Sequence, residues 1–439
     1  MEAVAWDLTD PGPRAIIVVD LAFGDAGKGA LTDALVRRYR ARTIVRYNGG
    51  AQAGHNVVTG DGRHHCFSQV GAGAFVDGVR TLLGPAVIVH PTALGVEARH
   101  LADVGVPDAL DRMQVHEDAL VITPFHQAAN RARERARGSG RHGSCGVGVG
   151  ETARDALEHP EGALRVRDLR AGGDGKTRRR LGDLRERLGE GVRGPEGDVF
   201  GDPGLADRWL QAARAVIEQV EVVGDDEVAA VLNQPGTTVF EGAQGVLLDE
   251  WHGFHPHTTW STCTSRHAVS MLTKAGFSGP SLGVGVLRSY AVRHGAGPLP
   301  TEDAALTLPE PHNTTDPWQG RVRHGWFDLP LLRYALDVCR LDPAGAIDVL
   351  ALTHLDAIRD PWRVCVAYDN ALALSHVIDS PDLDRQSRRT QALAAVQPIY
   401  ENVDSDAFLD LVARRTGLEV AVRGFGPTAA DMRFSGMLG

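Results

Sequence analysis

Paired cysteines, long apolar runs and an excess of positive charge are all missing from this 439-residue chain. Its five cysteines, Cys66, Cys145, Cys263, Cys339 and Cys365, are scattered and form no C-x-x-C pair. That excludes a disulfide framework and a cysteine-built zinc motif, and suits free thiols in a reducing compartment. No stretch approaches the ~20 apolar residues that a membrane-spanning helix needs. Met1 to Arg14 lacks a basic region followed by an apolar run, so no secretory signal is expected and the cytoplasm is the expected location. A net charge of −10 argues against nucleic acid as a partner. No internal repeat is visible.

The rest is ordinary for a globular protein, with 43% hydrophobic and 23% charged residues. Apolar runs at 15–20, 43–47, 86–89, 119–122, 237–240, 284–287, 347–352, 364–368 and 418–422 read as strands. Helical patterns such as 127–137 and 329–340 lie between several of them. This alternation predicts an α/β fold with a large, mostly parallel central sheet flanked by helices and small accessory elements, formed by residues 1–439 as one domain. Segment 171–204, dense in Gly, Arg, Asp and Glu with one helix near 178–188, reads as a surface excursion.

The organising stretch is Phe23-Gly24-Asp25-Ala26-Gly27-Lys28-Gly29-Ala30, which follows the first strand and opens a helix. Strand, glycine turn and helix together aim backbone N–H groups and a helix dipole at an anion, here a phosphate. The spacing is P-loop-like but differs from Walker A. Asp25 is the odd residue: a carboxylate beside phosphates is costly unless it binds metal or moves a proton. Its plain alternative is a helix N-cap. A second glycine-rich loop, Asn48 to Asn56, contains His55 and also follows a strand, which points to a joint site at the carboxyl edge of the sheet.

Six ordered blocks resemble the adenylosuccinate synthetase family: Gly24 to Gly29, Val45 to His55, Phe240-Glu241-Gly242-Ala243-Gln244-Gly245, Gly295 to Glu302, Gly325-Trp326-Phe327-Asp328 and Leu352-Thr353-His354-Leu355-Asp356. The resemblance implies a homodimeric ligase in which GTP phosphorylates the 6-oxygen of inosine monophosphate (IMP) and L-aspartate then displaces that phosphate. It implies GTP and Mg2+ as co-substrate and metal, with Asp25 as base and magnesium ligand, Gly54 as a second magnesium ligand, and His55 as the acid. Gly24, Gly27, Lys28, Gly29, Gly54 and Asn56 would hold the phosphates. His354, Asp356, Gly424 and Gly426 would hold the base, with the Asp356 carboxylate selecting guanine.

On the acceptor side the resemblance assigns Gln52, Ser144, Cys145, Gln244, Thr259 and His294, and for aspartate Arg321 and Arg323, with Thr314 and Thr315 as substitutes for a family threonine pair. The departures gather here. Cys145 replaces a threonine that binds the acceptor's 5′-phosphate, Gln52 replaces an asparagine, and His294 stands where the family has an apolar residue beside the base. Leu157 to Gly162 has no arginine where the family reaches that phosphate from the partner subunit. The acceptor is therefore expected to be either IMP or a different carbonyl-bearing ring, one without a 5′-phosphate included. Two other classes compete: a GTP-binding regulator that has lost the ligase step, and a metal hydrolase built on His252, His255, His257 and Cys263.

Overall fold

A computed structural model describes residues 12–170, 174–312, 318–370, 374, 377 and 381–439. The central strand β1 (Pro13–Asp20) is buried along nearly its whole length. Its run Ala15-Ile16-Ile17-Val18-Val19 packs apolar clusters on both faces of the sheet, as a central parallel strand requires. The other strands of the main sheet are β2 (Thr43–Arg46), β3 (Arg80–Leu83), β4 (Met113–His116), β5 (Glu221–Val223), β6 (Gly236–Glu241), β7 (Ser281–Arg288), β8 (Val349–Thr353), β9 (Glu419–Gly424) and β10 (Met432–Phe434). They lie in the order β10-β9-β8-β7-β1-β6-β2-β3-β4-β5, all parallel except the β9/β10 edge pair.

The chain leaves β6 on one side of β1 and returns as β7 on the other. This puts a topological switch point at the carboxyl end of β1, where open α/β sheets bind ligands. The registers Val18↔Glu241, Asp20↔Val286 and Arg288↔Thr353 bring the ends of β1, β6, β7 and β8 to that point. Helix α1 (Lys28–Tyr39) follows β1 and packs Leu31, Ala34 and Leu35 onto the sheet. The expected parallel α/β sheet is thus present.

Several details differ from the sequence reading. The runs expected near 88 and 120 give only Ile88–Val89 and Leu120–Val121, paired with each other outside the main sheet. Trp362–Tyr368 joins Phe327–Asp328 and Pro398–Val403 in a separate three-stranded sheet. In the segment read as a surface excursion, helices Asp174–Gly189 and Pro195–Gly201 bury Leu181, Leu184, Leu188 and Phe200 against Phe125 and Trp209. Arg187 clamps Asp155 there through two bonds, 2.7 and 2.9 Å. All five cysteines are free, and no helix among the described residues is long and apolar enough to cross a membrane.

Candidate functional site

A cleft with ≈ 1120 Å³ of open volume lies over the carboxyl end of β1. Its lining includes Gly24, Asp25, Gly27, Lys28, Gly29, Gly54, His55, Asn56, His354, Asp356 and Gly426, so nearly all the residues expected to hold GTP meet in one place. Gly424 sits just behind, packed on Met432 and the Thr353 backbone. Asp356 is exposed at the cleft, whereas the His354 ring stands edge-on to Tyr290. Burial, with the nearby Arg288 charge, pushes the His354 imidazole down to about 3.

The glycine loop is shaped from behind by Asp20, the buried last residue of β1. Its Oδ1 accepts from the Ala22 and Gly24 amides (2.8 and 3.3 Å), and its Oδ2 from the Ala26 amide (3.1 Å) and Lys28 Nζ (2.8 Å). Lys28 also donates to the Gly24 carbonyl and is only 2% exposed, so its charge lies at the floor of the phosphate loop. Helix α1 is capped by Gly27 in the left-handed region (φ 86°) with no side-chain cap, so Asp25 is not the N-cap. Thr353 lies within 3.3 Å of where a Gly27 Cβ would sit, a second reason for glycine there. At Gly29 a Cβ would come within 2.5 Å of the Asn56 carbonyl oxygen; the missing side chain lets α1 and the His55 strand touch.

Asp25 is therefore free for chemistry. Its Oδ2 is buried without a well-formed hydrogen bond, and His294 Nε2 lies 2.8 Å from it. Burial raises the Asp25 pKa, but His294, Arg288 and Lys28 outweigh that and hold the carboxyl below its ordinary value. The Asp25 contact in turn raises the His294 pKa. Arg288, from the end of β7, donates to the Asp25 carbonyl and pairs with Glu310 of the 309–312 strap, which also lines the cleft.

Opposite Asp25, His55 Nδ1 lies 2.6 Å from Glu241 Oε1. Glu241 is fully buried at the end of β6, bonded by the Ala72 amide (3.0 Å) and 3.9 Å from Arg46 Nε. With Nδ1 donating to Glu241, His55 Nε2 is buried without a partner among the described residues. Burial pushes the imidazole down to about 4 against the pull of Glu241. This is an oriented histidine whose second nitrogen awaits a ligand.

The chain matches the family model "Adenylosuccinate synthetase" over residues 17–422. The chain belongs to the adenylosuccinate synthetase family. It is 32% identical over 403 residues to the adenylosuccinate synthetases of Pseudomonas aeruginosa and Pseudomonas putida, covering 89% of this chain and 87% of each relative. Its fold matches the fully ligated adenylosuccinate synthetase of Plasmodium falciparum (TM-score 0.73, 20% identity, covering 96% of this chain and 99% of that one). It also matches the succinoaminodeoxyadenylate synthetase PurZ of cyanophage S-2L, bound to dGMP and dATP (TM-score 0.59, 20% identity, 96% and 95%). Membership makes this chain a GTP-dependent ligase forming C–N bonds, in a family that uses GTP and Mg2+. The donor set fits magnesium: the Asp25 carboxylate and the Gly54 backbone, both lining the cleft, are hard oxygen ligands.

None of the described residues expected to meet the acceptor or aspartate is in the lining of this cleft; His294 reaches it through its contact with Asp25. Both amide atoms of Gln52 and Oε1 of Gln244 are buried without partners among the described residues, as a polar ligand would need. Ser144 is engaged: its hydroxyl donates to Asn130 Oδ1 (3.0 Å) and its amide to Glu134 Oε1 (3.3 Å). Cys145 is half-buried, and the Thr259 amide donates to the Leu248 carbonyl. Of the two arginines expected to clamp aspartate, Arg323 pairs with Glu302 (2.7 Å), whereas Arg321 is exposed and lies 3.6 Å from the same carboxylate. Thr314 and Thr315 lie outside the described residues.

The histidines of 252–257 do other work. His252 pairs with Asp249 (3.2 Å) and His257 Nδ1 contacts the His142 carbonyl. No group of three or more potential metal-ligating side chains occurs among the described residues. Sequence reasoning missed Asp20, Glu241 and Arg288 as site residues. The first two carry a common signal, an acid ending a fully buried strand.

Proposed function

We propose that this enzyme joins L-aspartate to a lactam-type ring carbonyl of an acceptor whose binding differs from that of ordinary IMP. Asp25 takes the ring N–H proton while the freed carbonyl oxygen attacks the γ-phosphorus of GTP, forming an O–P bond and releasing GDP. The aspartate amine then adds to that carbon, and the phosphate leaves with the oxygen. Mg2+ held by Asp25 and the Gly54 carbonyl would neutralise charge on the transferring group. His55, aimed by Glu241, supports the departing phosphate oxygens through Nε2.

The observation that carries the altered acceptor is His294 at 2.8 Å from Asp25, where the resemblance expects an apolar wall. An acceptor ring must share Asp25 with an imidazole or be read by it. The second ring nitrogen of His294, Nδ1, is buried and unpartnered among the described residues, available to an acceptor atom. A shifted acceptor has a parallel on this fold, since the cyanophage enzyme is described with dGMP. The paired His55 and Glu241 favour catalysis over a regulator, which needs no aimed acid. The substrates are small molecules, GTP, L-aspartate and the acceptor, and the working form is a homodimer.

The deciding measurement is aspartate-dependent phosphate release with GTP and Mg2+, comparing IMP with other 6-oxo purine nucleotides and nucleosides. Preference for another acceptor over IMP is expected. Efficient turnover of IMP at micromolar concentration would overturn the altered acceptor, and GTP hydrolysis indifferent to aspartate would overturn the ligase reading.

A further inference from the structure

The loop 143–150, which the resemblance gives to the acceptor's phosphate, leans on helix α2 (Pro124–Ala136). Glu134 accepts from the Gly143 and Ser144 amides (2.8 and 3.3 Å), and its charge is met by Arg137 (2.7 Å). Three arginines of this stretch have carboxylate partners: Arg133 with Glu151, Arg135 with Glu196 at 3.2 Å, and Arg137 with Glu134. Arg131 differs. Among the described residues it has no ion-pair partner. Its Nε donates to the Gly146 carbonyl (3.0 Å), one residue from Cys145, and its guanidinium lies 5.5 Å from the Trp318 ring centroid. Among the described residues neither Nη group has a hydrogen-bond partner.

Trp318 roofs this loop: Gly146 lies under the indole, and Arg135 faces the same ring at 5.4 Å. The loop runs on to Val149, which touches Gly50, and Gly50 borders the orphaned Gln52 amide. Among the described residues, the neighbourhood thus holds an unpaired guanidinium, an aromatic cover and an unsatisfied amide, on the loop that the resemblance gives to the acceptor's phosphate.

We infer that Arg131 is an anion seat within the chain, supplying to the acceptor's phosphate or carboxylate tail the positive charge that the family takes from its partner subunit. A guanidinium with two free Nη groups suits the fork geometry of either anion. The inference rests on the proposed ligase reading and narrows its acceptor to one with an anionic tail.

The test is calorimetric titration of the full-length protein, in the presence of GDP and Mg2+, with IMP, inosine and 9-carboxymethylhypoxanthine. The Arg131→Gln and Arg131→Lys variants are titrated in parallel. Wild type is expected to bind at least one of the two anionic probes more tightly than inosine. R131Q is expected to weaken that probe on the order of 10- to 100-fold and leave inosine unchanged, with partial recovery in R131K. Whichever anionic probe responds identifies phosphate or carboxylate as the preferred tail. If Arg131 only props the loop, R131Q weakens inosine and the anions alike, and the inference falls. It falls equally if wild type binds neither anion better than inosine. Aspartate-dependent phosphate release, measured separately, reports on the ligase reading itself, so the two can fail independently.

Discussion

Replacing Glu241 with Gln tests the catalytic geometry most directly. The substitution keeps the side chain's shape and its bond from the Ala72 amide, and removes the one negative charge 2.6 Å from His55 Nδ1. As charge departs with the phosphate, His55 must carry a proton in a site whose burial already pushes its pKa down to about 4. Coulomb attraction between an imidazolium and a carboxylate some 4 Å apart, at an effective dielectric of 20, is about 4 kcal/mol. Part of that serves the transition state, so kcat should fall about 10²- to 10³-fold. The KM for GTP should change little, because Glu241 lies behind the cleft and touches no ligand position. The assay is steady-state phosphate release with GTP, Mg2+, L-aspartate and whichever acceptor wild type turns over fastest. A thermal unfolding scan guards against collapse of the buried Arg46 site. An E241Q enzyme that is folded and within threefold of wild-type kcat would refute the role given to this pair.

Gly29→Ala should lose activity by about 10²-fold while remaining folded, because its Cβ would sit 2.5 Å from the Asn56 carbonyl oxygen and displace His55 from the phosphate loop; single-turnover phosphate transfer would show it. Asp356→Asn should raise the KM for GTP on the order of 10- to 100-fold, through loss of charge-assisted bonds to guanine, and should favour XTP in competition; an unchanged nucleotide preference would remove Asp356 from base recognition. Asp328 offers a pH test. Burial pushes its carboxyl up to about 7, although Tyr368 and the Leu331 amide bond to it. The folded state therefore holds a proton that the unfolded chain releases near pH 4, and this group's contribution falls as pH rises from about 4 to 7, by about 4 kcal/mol in all. Asp328→Asn should gain stability relative to wild type across that interval in urea unfolding, and a difference independent of pH would sink the assignment.

How much was legible beforehand depends on whether the signal was local. β1 could be read because Ala15 to Val19 is apolar on both faces, and the phosphate loop because three glycines flank Lys28. β3 and β4 escaped notice: Thr81-Leu82-Leu83 and Met113-Gln114-Val115 are too short to stand out, and are strands because neighbours supply both their edges. The 171–204 segment hides its packing for a different reason. Its many charges satisfy one another and the chain around it, as Arg187 does with Asp155, while its three leucines carry the packing.

The site divides in the same way. Asp25, Lys28 and His55 announce themselves by standing in glycine-rich loops, but the residues that aim them come from elsewhere. Glu241 reaches His55 across 186 positions, and Arg288 reaches the Asp25 carbonyl across 263. Such partners carry no local pattern beyond a charge at the end of a buried strand. A charge placed there is expensive unless something on the neighbouring strand answers it. In a parallel sheet the answering group lies at the same carboxyl edge, so strand-terminal charges converge on the switch point. Asp20, Glu241 and Arg288 end three adjacent strands, and each is answered within that edge: by Lys28, by His55 and Arg46, and by Glu310. The apparatus proposed to move protons and phosphate is therefore anchored in the core of the sheet. Of the residues proposed to meet the acceptor, Gln52 and Cys145 sit on loops and His294 ends the small strand Ala291–His294 outside the main sheet, so substitution there leaves the central strands intact and the binding preference is free to change.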